Sequence, residues 1–140
     1  MDDKFLIAEA FKARETSYSP YSGFMVGAAL LCKDGKIFRG CNIENAAYSP
    51  TNCAERTAFF KAVCDGEREF EAIAIVGAPR GAAASEFGYA YPCGVCRQVM
   101  EEFCNPNTFQ VLTARSIDEY LKCTLEELLP HGFGPENLGK

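Results

Sequence analysis

Apolar positions recur along the chain with two alternating periods. Leu6, Ile7, Ala10 and Phe11 share one helical stripe, with Lys4, Glu9, Lys12 and Glu15 mostly off it. They predict a surface helix that ends before the turn-rich residues 17–23. Phe24–Cys32 is an apolar run that predicts a buried strand, followed by a tight turn over 33–36 and a partner strand over 37–43. A loop with Pro50 covers 44–52. Helical period returns from Cys53, with Glu55, Ala58, Phe59, Ala62 and Val63 on one face, and Gly66 stops it. Residues 70–76 predict a strand and 77–91 a Gly- and Ala-rich loop. Pro92 then opens a helix whose apolar stripe is Val95, Val99, Met100 and Phe103. Residues 109–113 predict a strand, 116–122 a short edge strand and 125–129 one or two helical turns.

Strands alternating with helices imply one α/β domain over residues 1–140, a central sheet covered on both faces. The expected architecture is a three-layer α/β/α sandwich with five strands. The opening hairpin makes the sheet mixed rather than parallel.

Composition narrows what such a domain can do. The 140 residues are 48% hydrophobic and 24% charged, enough for a real core in one globular unit. No apolar run approaches the roughly 18 residues that cross a bilayer. The start, Met1 to Lys4, is acidic and does not resemble a secretory signal. The chain is expected in the cytoplasm, without a membrane partner. Fourteen Lys and Arg against nineteen Asp and Glu give a formal net charge of -5. The cation clusters on which phosphate-backbone binders depend are absent, so a nucleic acid polymer is not the expected partner and a small uncharged molecule is. Eight cysteines in a reducing compartment, beside a core that needs no disulfides, point to metal binding, catalysis or burial.

Cys53-Ala-Glu55 stands at one predicted helix start and Pro92-Cys-Gly-Val-Cys96 at another. A Cys-x-x-Cys at a helix start puts two sulfurs one turn apart on one face, and the positive helix end favours the thiolate that zinc requires. Cys53, Cys93 and Cys96 are therefore candidate ligands of one zinc ion. Cys64 lies about 16 Å beyond Cys53 and Cys104 about 12 Å beyond Cys96 along the same helices, too far to join them. Cys32 and Cys41 fall in predicted strands and are assigned to the core, and His131, the lone histidine, sits in a C-terminal loop. Three protein ligands leave a fourth position open, as catalytic zinc sites do. A redox pair at Cys93 and Cys96, or a four-thiolate structural site, competes with this reading.

Glu55 decides between them. Alone it is an ordinary first-turn acid, favourable with the helix dipole. Beside a zinc site it can exchange protons with the water that zinc activates. Three thiolates leave Zn²⁺ with a formal surplus of negative charge, and Arg56 is the candidate to draw it off. Arg97 is assigned instead to an exposed salt bridge.

These residues resemble the cytidine deaminase family in its short, three-cysteine, homotetrameric form. The resemblance runs through Tyr18-Ser-Pro-Tyr-Ser-Gly-Phe24, Val26-Gly-Ala-Ala29, Gly40-Cys-Asn-Ile-Glu-Asn-Ala-Ala-Tyr48, Cys53-Ala-Glu-Arg-Thr-Ala58, Pro92-Cys-Gly-Val-Cys-Arg-Gln98 and Glu126-Glu-Leu-Leu-Pro130. It implies one Zn²⁺ per subunit on Cys53, Cys93 and Cys96, with Glu55 moving protons during hydrolytic attack at C4 of cytosine. It also implies that Phe24 packs on the base and that Asn42 and Glu44 bind ribose hydroxyls. Tyr48 and Phe133 match positions that help close a neighbour's site. Two features depart from the family: residues 77–91 form a longer segment than usual, and Tyr91 replaces a small hydroxyl residue before Pro92.

The expected activity is deamination of cytidine and deoxycytidine to uridine and deoxyuridine. A nucleoside-antibiotic deaminase of the blasticidin type is the nearest alternative, and the Asn42 and Glu44 pair argues against it. A thiol oxidoreductase is the alternative from another class.

Overall fold

The structure is a computed structural model and describes residues 2–140. Its elements run α1 (Asp3–Arg14), β1 (Phe24–Cys32), β2 (Ile37–Cys41), α2 (Ala54–Cys64), β3 (Phe70–Pro79), α3 (Gly94–Phe103), β4 (Gln110–Ala114), β5 (Tyr120–Thr124) and α4 (Leu125–Leu128). The strands form one sheet in the order β2-β1-β3-β4-β5. Only β3 and β4 are parallel, joined by a crossover through α3. The sheet is mixed, as expected.

The period-two alternation of β1 divides the core. Ala28 and Leu30 point to the face covered by α2 and α3, where Ala54, Ala58, Phe59, Cys96 and Met100 pack with Ile73, Ile75 and Val111. Ala29 and Leu31 point to the opposite face, where Leu6, Ile7 and Ala10 of α1 pack with Ala74, Val76 and Leu112. Helices on both faces give the three layers. Phe59 is the hub of the α2 side, with ring centroids of Phe70, Phe109 and Phe103 at 5.1, 6.0 and 6.2 Å.

Two glycines let the helices lie directly on the hairpin. A Cβ at Gly27 would overlap backbone atoms of Ala10 and Arg14 in α1. One at Gly40 would overlap the Ala54 carbonyl oxygen and the Ala58 nitrogen in α2. Gly40 therefore sets how closely the first turn of α2, next to Cys53, approaches β2.

The structure departs from the sequence expectations in several places. Strand β3 continues through Pro79, because residues 77–79 pair with Phe24, Met25 and Val26 of β1. Strand β2 stops at Cys41; Ile43 forms single bridges to Tyr18 and Asn52 instead. The edge strand lies at Tyr120–Thr124 rather than 116–122, set by its register against β4. Val95 does not face the core of α3 but is exposed, while Cys96 is buried in its place.

The segment after β3 is anchored at several points. Phe87 is buried against Phe11, with ring centroids 5.5 Å apart, and Arg14 lies over its ring at 4.8 Å. Arg115 Nε donates to the Phe87 carbonyl at 2.9 Å. Ala90 then packs into the cluster on the α2 side, so the chain has changed faces before it reaches Pro92.

Because Gly40 meets backbone rather than a flexible side chain, Gly40→Ala forces α2 outward. The expected cost is about 1–3 kcal/mol, in line with core overpacking, read as a lower denaturant midpoint at unchanged m-value. A midpoint equal to wild type would contradict this packing.

Candidate metal centre

Both helix starts carry a cysteine where Ser, Thr, Asp or Asn ordinarily caps the first turn. Cys53 precedes α2 with φ -77° and ψ 157°, Cys93 precedes α3 with φ -68° and ψ 168°, and neither side chain makes a cap hydrogen bond. The first-turn N–H groups and the positive helix ends thus face sulfur, which favours the thiolate. Cys96 sits one turn into α3 and is buried.

The three sulfurs lie within 4.8 Å of one another, and Cys53 Sγ is 3.7 Å from Cys93 Sγ. Two sulfurs on one tetrahedral zinc, with bonds of about 2.3 Å, are about 3.8 Å apart. Donor type and spacing both fit zinc. Among the described residues no His, Asp, Glu or further Cys joins the group. Cys64 is exposed and Cys104 packs against the core, away from the triad as the helix lengths require. Cys32 is buried in the core, but Cys41 is only partly buried and takes a hydrogen bond from Thr16 Oγ1 at 3.6 Å.

Protonation within the triad is uneven. Hydrogen bonding from Cys96, then from Arg56 and Cys93, holds Cys53 well below the ordinary thiol range. Cys96 is pushed up by sharing its proton with Cys53 and by burial. Arg56 Nη2 donates to Cys53 Sγ at 3.3 Å, while its buried Nε has no partner among the described residues. Burial disfavours its charge, but hydrogen bonds and attraction from Cys53 and Cys96 more than offset that, so Arg56 stays cationic against the sulfurs.

Glu55 is 4% exposed beside them. Burial first, and the negative charge on Cys53 second, raise its carboxyl to about 7. A carboxyl in that range gives and takes protons at neutral pH. It lies outside the ligand group, which suits a proton carrier rather than a fourth ligand.

The residues expected on the substrate side are tied to this centre by backbone. Ile43 and Asn52 exchange two N–H···O bonds of 2.9 Å, which places the segment carrying Asn42 and Glu44 beside the residue preceding Cys53. Asn42 is a brace: its Oδ1 accepts from Val26 N at 2.9 Å and from Ser17 Oγ, and its Nδ2 donates to the Phe24 carbonyl at 2.8 Å. Glu44 Oε1 accepts from the N–H groups of Tyr21 and Ser22 at 3.0 and 3.1 Å, and Oε2 accepts from Ser22 Oγ at 2.5 Å. A cleft of about 310 Å³ opens beside Glu44, between Tyr21, Ser22, Asn45, Tyr48 and Thr51. Phe24 is 41% exposed, not a core residue, and its ring lies over Gly77 beside Ala90, three residues before Cys93. Tyr48 and Phe133 project into solvent at 79% and 58% exposure and do not meet the triad within one chain.

Several contributors were not legible beforehand. Among the described residues Arg97 forms no salt bridge: Nε donates to the Pro92 carbonyl at 2.7 Å and Nη1 to the Leu128 carbonyl at 2.6 Å, clamping the turn that carries Cys93. Gln98 Nε2 donates to the Phe133 carbonyl at 2.7 Å, fixing the tail to α3. Ser17 and Ser22 hold Asn42 and Glu44, a role that neither the turn-rich composition of 17–23 nor the motif containing Ser22 assigns them. Tyr91 is exposed at the rim beside Tyr89, with ring centroids 6.5 Å apart.

Residues 1–112 match the family described as the cytidine and deoxycytidylate deaminase zinc-binding region. A cytidine deaminase of Sporosarcina psychrophila is 54% identical over 138 residues, which cover 99% of this chain and 96% of that protein. A cytidine deaminase of Halalkalibacterium halodurans is 49% identical over 138 residues, covering 99% and 98%. The 1.6 Å crystal structure of cytidine deaminase from Burkholderia pseudomallei shares the fold with a TM-score of 0.85 and 47% identity, over 95% of this chain and 100% of that one.

Since the three sulfurs form the whole ligand group, Cys53→Ala should weaken zinc binding by more than about 100-fold, beyond what loss of an outer contact costs. Competition with a chromogenic chelator measures this. Wild-type affinity in Cys53→Ala would contradict the assignment.

Proposed function

The chain belongs to the cytidine deaminase family, whose zinc-binding region it carries, and we propose that it hydrolyses cytidine and deoxycytidine to uridine and deoxyuridine with release of ammonia. The observation that carries this reading is the sulfur triad with zinc spacing and a buried carboxyl, Glu55, at its side.

Cys53, Cys93 and Cys96, whose sulfurs lie within 4.8 Å of one another, would hold the ion. Zinc bound there supplies a Lewis acid that makes a water molecule acidic enough to act as nucleophile near neutral pH. Glu55 takes the proton of the attacking water, delivers it to the ring nitrogen N3, and passes the second proton to the departing amine. Its carboxyl, raised to about 7 by burial, matches both tasks. Arg56, at 3.3 Å from Cys53 Sγ, draws charge off the thiolates together with the two helix ends.

Phe24 offers an exposed ring on which the pyrimidine packs. Hydrogen-bond accounting supports a sugar at Asn42 and Glu44. Asn42 Oδ1 already accepts two donors, leaving one N–H on Nδ2; Glu44 Oε1 also accepts two, leaving one acceptor site on Oε2. Sugar hydroxyls can accept from the free Asn42 N–H and donate to the free Glu44 site.

A single chain leaves Tyr48 and Phe133 exposed and the cleft beside Glu44 open. We read both aromatics as contributions to a neighbour's site in a homotetramer. The net charge of -5 supports a free nucleoside rather than a polymer as substrate. No described helix is long and apolar enough to cross a membrane, and eight free cysteines suit the reducing cytoplasm.

Glu55→Gln should keep its zinc and lower kcat on cytidine by about 10²–10⁴-fold, followed as loss of the cytidine absorbance. Activity near wild type would sink the proton-carrier role. Arg56→Gln, compared at full zinc occupancy, should turn over more slowly than wild type; equal rates would remove Arg56 from the mechanism.

A further inference from the structure

The Glu44 carboxylate is held by two adjoining residues of the turn before β1. Tyr21 and Ser22 give it their backbone N–H groups, and Ser22 adds its hydroxyl. That hydroxyl has a single proton, which goes to Glu44 Oε2 at 2.5 Å. It also accepts the N–H of Phe24 at 3.0 Å. One oxygen atom therefore touches both the carboxylate assigned to the sugar and the backbone of the aromatic assigned to the base. Ser22 is exposed and makes no core contact, so packing does not account for it. The terminal torsion of a Glu side chain is broad and roughly two-fold. Bonds to both oxygens fix it, and they leave one lone pair of Oε2 as the carboxylate's free acceptor toward the cleft that Ser22 and Glu44 line together.

We infer that Ser22 is a positioning residue for nucleoside binding, orienting Glu44 toward a sugar hydroxyl and anchoring it to Phe24. The inference rests on the deaminase reading above. The Ser22 hydroxyl is also the largest influence holding Glu44 below the ordinary carboxylate range, which keeps it an acceptor.

The test is steady-state kinetics on cytidine with zinc-loaded wild type, Ser22→Ala, Ser22→Thr, Glu44→Ala and the double variant Ser22→Ala/Glu44→Ala. Losing a hydrogen bond to a charged group should lower kcat/KM of Ser22→Ala by about tenfold, mainly through KM with kcat little changed. Ser22→Thr keeps the hydroxyl, with its methyl in solvent, and should restore KM. In the Glu44→Ala background the serine substitution should cost much less, because the group it orients is gone and only its bond from the Phe24 N–H is lost. A thermal midpoint of Ser22→Ala equal to wild type is expected. An unchanged KM in Ser22→Ala, no rescue by threonine, or an equal loss with and without Glu44 would overturn the inference while leaving the deaminase reading intact. A zinc-loaded wild type inert on cytidine would overturn both.

Discussion

Three sulfurs from two helices must meet within the bonding radius of one ion, and much of the architecture serves that constraint. Cys53 and Cys93 occupy cap positions, so their places follow from where α2 and α3 begin. Gly40 sets how near α2 lies to β2, and Arg97 clamps the turn before α3 through the Pro92 carbonyl. Ala54, Ala58, Cys96 and Met100 then share one buried cluster on the sheet, making the separation of the two helix starts a property of the core. A close-packed interior transmits small displacements, so shifts far from the sulfurs reach them.

Charge is the second constraint. Gathering three thiolates favours protonation of one of them, and within the triad hydrogen bonding holds Cys53 low while Cys96 is pushed up. Arg56 supplies a fixed cation against the partly buried Cys53, and the helix ends add partial positive charge. Glu55 carries the opposite adjustment. The burial that makes its anion unfavourable raises an ordinary carboxyl to about 7, the range in which a carboxyl exchanges protons at neutral pH. The side proposed for the nucleoside keeps to neutral hydrogen bonding and the one carboxylate of Glu44, in keeping with an uncharged substrate.

Much of this was legible in the sequence because the signals were local. The run Phe24–Cys32 and the stripe from Glu55 to Ala62 mark their elements, and Cys-x-x-Cys with Cys-x-Glu mark the three sulfurs that the fold gathers and the carboxyl that it buries. The misses have physical reasons. Residues 77–79 are small and carry no apolar alternation, so only pairing with β1 reveals them as strand. Val95 fits a helical stripe, but the turn of α3 that brings Cys96 inward sends it to solvent. The bonds from Ser17 and Ser22 to Asn42 and Glu44 span more than twenty residues and leave no periodic trace. Arg97 was misassigned because charge alone does not show that its partners are backbone carbonyls.

X-ray absorption at the zinc edge of the purified, metal-loaded protein addresses the ligand set without reference to any substrate. Three sulfur scatterers at about 2.3 Å and one oxygen or nitrogen scatterer at about 2.0 Å are the predicted shell, the light atom being solvent in the position left for reaction. Four sulfurs would mean a closed structural site, and fewer than three would mean that the two helix starts do not hold the ion together.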